Sequence, residues 1–85
     1  MAWVEIVNEV RDSLAVPKDW TMCFQDCIYH YDDATPEPGY RFIWRRPDGS
    51  LQAARGQARI EDEAMLYRLL HQAIQAGWFK PDQTI

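Results

Sequence analysis

The sequence predicts an α+β domain of order α-β-β-β-α, a three-stranded antiparallel meander with two helices packed on one face. Three observations lead there. Residues 3–14 and 61–76 carry apolar side chains at helical spacing, and Tyr40-Arg41-Phe42-Ile43-Trp44-Arg45 alternates strictly between bulky aromatic and other residues. Between that strand and the next lies Arg46-Pro47-Asp48-Gly49-Ser50, whose chemistry specifies a hairpin turn. At 85 residues the chain has the length of one small domain, and residues 1–85 are read as a single unit.

Taking the elements in order, Trp3, Ile6, Val7, Val10 and Leu14 fall within one arc at 100° per residue, with Glu5, Asn8, Glu9 and Asp12 opposite. That is an amphipathic helix, ended at Pro17, which biases Val16 out of the helical region. Residues 20–31 admit two readings. As a helix, Trp20, Cys23, Phe24, Cys27, Ile28 and Tyr31 share a face; as a strand, Trp20, Met22, Phe24 and Ile28 alternate inward, interrupted by Asp26. The wealth of Trp, Thr, Cys, Phe, Ile and Tyr favours the strand. A bulge near Gln25-Asp26 would repair the alternation and carry Cys27, Tyr29 and Tyr31 inward. Residues 32–39, with two prolines, a glycine and three acids, read as a loop.

In the hairpin, Pro47 presets φ for the first turn position and Gly49 takes the left-handed one. Setting Arg46 against Ser50 places Trp44 opposite Gln52, Phe42 opposite Ala54 and Tyr40 opposite Gly56. The aromatics then point inward, and Arg41, Ile43 and Arg45 point outward with Leu51, Ala53, Arg55, Gln57 and Arg59. In the second helix, Glu61, Asp62 and Glu63 occupy the first turn, where negative charge suits the helix dipole. Gly77 provides the C-terminal cap, and Trp78 or Phe79 closes the contact beside it. The apolar arc is wide, so that Tyr67, Ile74, Trp78 or Phe79 either completes the core or contributes to a homodimer or partner contact.

The element order is similar to that of double-stranded-RNA-binding domains. Those domains carry a lysine-rich motif at the start of the last helix, where this chain has Ile60-Glu61-Asp62-Glu63-Ala64. The likeness covers element order alone and implies no shared function.

Charge is divided along the chain. The formal net charge is −4, yet residues 40–60 hold five arginines against Asp48 alone, leaving four basic and twelve acidic residues elsewhere. Two cysteines are too few for a disulfide framework, and on a strand Cys23 and Cys27 would stand about 13 Å apart. Free thiols and the early charges Glu5, Glu9, Arg11 and Asp12 point to the cytoplasm. No stretch approaches the roughly 18 apolar residues of a membrane span.

For chemistry the sequence offers little. Cys23, Cys27 and His30 are zinc-type ligands without a fourth, and Ser13 and Ser50 lack a nucleophile elbow. His71 lies on the polar side of a helix, and Asp32, Asp33 and Glu37 read as solvated loop carboxylates. No catalytic residue, metal or cofactor is therefore expected. The expectation is a non-catalytic interaction or regulatory protein whose sites are Arg41, Arg45, Arg55 and Arg59, with an acidic protein surface as partner. The alternative is a nucleic-acid binder using the same basic face. In the register above Arg41 and Arg55 are directly opposed, which favours an external anion.

Overall fold

The computed structural model describes residues 2–52 and 58–79. It contains three strands, β1 (Trp3–Arg11), β2 (Thr21–Tyr31) and β3 (Ala34–Arg45), followed by one helix, α1 (Glu63–Gln75). The strands form an antiparallel sheet in the order β1-β2-β3, so the fold is α+β with a meander.

The predicted α-β-β-β-α order is overturned, because residues 3–14 are not a helix. Trp3, Val4, Ile6, Val7 and Val10 are β-branched or aromatic, which suits a pleated surface better than a helix. The helical spacing arises from a bulge. Ile6 faces Cys27 and Asn8 faces Asp26, leaving Val7 as an extra residue that shifts the alternation by one. An irregularity was expected opposite this point, in β2 at Gln25-Asp26. Instead β2 alternates regularly from Thr21 to Tyr29, so Cys27 and Tyr29 lie on the face opposite Phe24.

Two further expectations are corrected. Residues 34–39 belong to β3, whose place at the sheet edge accommodates Pro36 and Pro38, residues that cannot donate to a second neighbour. Of the strand expected over 50–60, residues 53–57, with the pairings set for Ala54, Arg55 and Gly56, lie outside the described residues; the rest shows a single bridge, between Leu51 and Arg45. Its turn is as read from sequence. The Gly49 N–H donates to the Arg46 carbonyl (2.8 Å), Arg46 N to the Ser50 carbonyl (2.8 Å) and Gln52 N to the Trp44 carbonyl (2.9 Å), with Gly49 at φ +90°.

The helix covers one face over the half of the sheet nearest this turn. Its Leu69 and Ala73 are fully buried against Met22 and Phe24, with Val10, Phe42, Trp44, Met65 and Leu70 around them. Asp62 caps its N-terminus by accepting from Met65 N at 2.7 Å. At the other end Trp78 N donates to the Ala73 carbonyl and Gly77 N to the Ile74 carbonyl, with Gly77 at φ +85°. That turn drives Trp78 and Phe79 into the core, with Trp78 stacked at 5.3 Å on Phe24. Arg68 grips Asp12 through two hydrogen bonds of 2.8 and 3.0 Å, and Gln72 reaches the backbone of Arg11 and Ser13. These contacts lock the helix to the end of β1. Among the described residues no helix is long and apolar enough to cross a membrane.

Candidate functional site

The face away from the helix is where β1, β2 and β3 bring together Glu9, Gln25, Arg41 and Arg45. Pairing dictates this: Glu9 lies opposite Gln25, Gln25 opposite Arg41 and Thr21 opposite Arg45, and paired residues share a face. Gln25 is fully buried there, its amide donating to Glu9 at 2.6 Å and its carbonyl accepting from Arg41 Nε at 2.7 Å. Arg45 donates Nε and Nη2 to Glu9 at 3.0 and 2.7 Å, and Arg11 Nε adds a third contact at 2.7 Å. The Arg45–Glu9 pair runs from one edge strand to the other and crosses β2 above Cys23.

Burial by itself would raise the Glu9 pKa. The hydrogen bonds from Arg45, Gln25 and Arg11 outweigh it and bring the pKa down to about 2. Glu9 is therefore a carboxylate at any ordinary pH, and Arg45 is held more firmly charged by it. Beneath them, Cys23 and Cys27 are free thiols with no exposed surface. Burial pushes the Cys23 thiol up to about 11 and raises that of Cys27 as well, so neither is a ready thiolate. Tyr29 roofs the next stretch, its ring so close above Gly39 that an added Cβ there would lie 2.8 Å from Cε2.

Of the four arginines singled out by sequence, Arg41 and Arg45 share this face. Arg59 is exposed in the segment leading to α1, and Arg55 lies outside the described residues. The sequence reading missed Glu9 and Gln25. Helical spacing puts Glu9 on the polar side of a helix, and Asp26, next to Gln25 in β2, points to the other face and accepts from Asn8 at 3.1 Å.

The remaining chemical candidates are dispersed. His30 lies on the helix-bearing face, stacked on Trp3 at 4.2 Å and 2.9 Å from Glu5, whereas Cys23 and Cys27 point to the opposite face. Among the described residues no three His, Cys, Asp or Glu side chains cluster as metal ligands. His71 is exposed and stacks on Tyr67, which with Ile74 leaves an apolar strip on the outer side of α1; Trp78 and Phe79 lie in the core instead. Compared with known proteins, the chain matches no family model, no curated protein and no solved structure.

Proposed function

We propose that this chain is a non-catalytic interaction domain that binds an acidic surface of a macromolecular partner through the arginine-bearing sheet face. One observation carries the reading. Arg41 meets no carboxylate among the described residues, and its Nε is fixed on the buried Gln25 at 2.7 Å. A guanidinium held through Nε keeps the donors of its two terminal nitrogens for a carboxylate, and much of its rotamer entropy is already lost. Arg45 has a different task. Glu9 neutralises it, so it supports the face rather than supplying charge to a partner.

The balance of charge supports a protein partner over a nucleic acid. Glu9 and Glu37 lie on the same face as Arg41, and a phosphate backbone tracks best along a run of unopposed cations. Arg41→Glu should weaken partner binding about tenfold or more, with Arg59→Glu as the matched reversal elsewhere. Isothermal titration against a partner captured on the wild-type chain provides the comparison. Equal affinity for wild type and Arg41→Glu would refute the reading. Tight, steeply salt-dependent binding to DNA or RNA would replace the acidic protein with a nucleic acid.

A further inference from the structure

The opposite face has a concave site of its own. Among the described residues, Trp20, Trp44, Gln52 and Glu61 line an open groove of about 360 Å³ between the turn end of the sheet and the start of α1. Each residue arrives there by simple geometry. Trp20 precedes β2 and continues the alternation of Met22 and Phe24, which places it on the helix-bearing face. Trp44 pairs with Met22 and is diagonal to Trp20. Gln52 is fixed beside Trp44 by its 2.9 Å backbone bond, and Glu61 immediately precedes the capping Asp62.

The lining specifies its occupant. Two of its residues are tryptophans, whose indole π-systems attract cations at their negative faces. The Glu61 carboxylate has no hydrogen bond or ion pair among the described residues, unlike Glu9, Asp12, Asp48 and Asp62. Arg46, the nearest arginine in sequence to Trp44 after Arg45, is tied to the turn through the Leu51 carbonyl (2.7 Å) and Ser50 Oγ (3.2 Å). An anion would be repelled by Glu61, and an apolar group would strip water from Glu61 and Gln52 without recompense. The groove is also too open to enclose a free small molecule, which normally buries 70–90% of its surface. A side chain delivered on a larger surface meets that requirement.

We propose that this groove receives a lysine ammonium from a partner protein, between Trp20 and Trp44 and against Glu61. The site is on the other face from Arg41 and stands independently of the function proposed above. Asp62 and Glu63 follow Glu61 in the chain and offset the positive end of the α1 dipole, which would otherwise oppose a cation.

The test uses the four indole N–H resonances of the 15N-labelled chain, Trp3, Trp20, Trp44 and Trp78. A short lysine peptide should shift Trp20 and Trp44 and leave Trp3 and Trp78 in place. Acetylation of the lysine should weaken binding about fivefold, and so should Glu61→Gln or Trp20→Ala, both changes at exposed positions. Equal binding of the acetylated peptide would overturn the proposal, as would an unshifted Trp20 and Trp44 at saturating peptide. Tighter binding of tetramethylammonium than of the lysine peptide would also overturn it, by marking a site for a small free cation.

Discussion

Glu9 accepts from three side chains at once, and that makes it the residue on which acid stability turns. Its pKa falls from an ordinary 4.5 to about 2 on folding, so the contribution is complete above about pH 4.5 and disappears as pH drops through 2. A depression of that size corresponds to on the order of 3 kcal/mol. Asp12, lowered chiefly by its hydrogen bonds from Arg68, acts in the same direction. Urea unfolding at pH 7, 4 and 2.5 should therefore show a steep loss between the last two. Glu9→Gln should lose about 2–3 kcal/mol at pH 7, because Arg45 is left over the sheet without its counter-charge, and should flatten the dependence below pH 4.5. An unchanged slope would mean that the carboxylate is not held as its contacts imply.

Among the elements, β1 and the hairpin turn mark the two extremes of what could be read directly. Pro47, Asp48 and Gly49 act through local backbone preference alone, so the turn and its Arg46–Ser50 register were legible from five residues. Gly77 is legible for the same reason. The strand β1 was not, because one extra residue converts a period of two into spacings that imitate a helix: Ile6 and Val7 become adjacent apolars, with Trp3 and Val10 three residues to either side. The aromatic and β-branched content was the available signal, the kind that decided β2 correctly. A test follows from the pairing itself. Ile6 and Asn8 already face consecutive residues of β2, so deletion of Val7 should preserve every pair and cost no more than about 1 kcal/mol. Deletion of Gln25 from the central strand should prevent folding, since it shifts half the strand against both neighbours. Circular dichroism and thermal melting of the two deletions distinguish the cases.

At the scale of the molecule, α1 covers part of one face, and among the described residues the linked side chains of Glu9, Gln25, Arg41 and Arg45 lie over the other. The placement of Arg41 and Arg45 together was legible, since it needs only the alternation of β3. Their environment was not. It depends on which strand joins β2 on its free side, and Glu9 enters the site only when residues 3–11 are a strand. Long-range partners of this kind have no local signature, whereas Leu69 and Ala73 could be placed by helical spacing within their own segment.

The Arg45–Glu9 strap has a consequence for reagents as well as for stability. It roofs Cys23, so an alkylating agent reaches that sulfur only in molecules where β1 has lifted away. Iodoacetamide labelling of Cys23 in a Cys27→Ala background should be slow in the folded chain and should accelerate about tenfold or more in Glu9→Gln. The thiol then serves as an internal clock for the parting of the edge strands, timing a motion that no bound partner is needed to reveal.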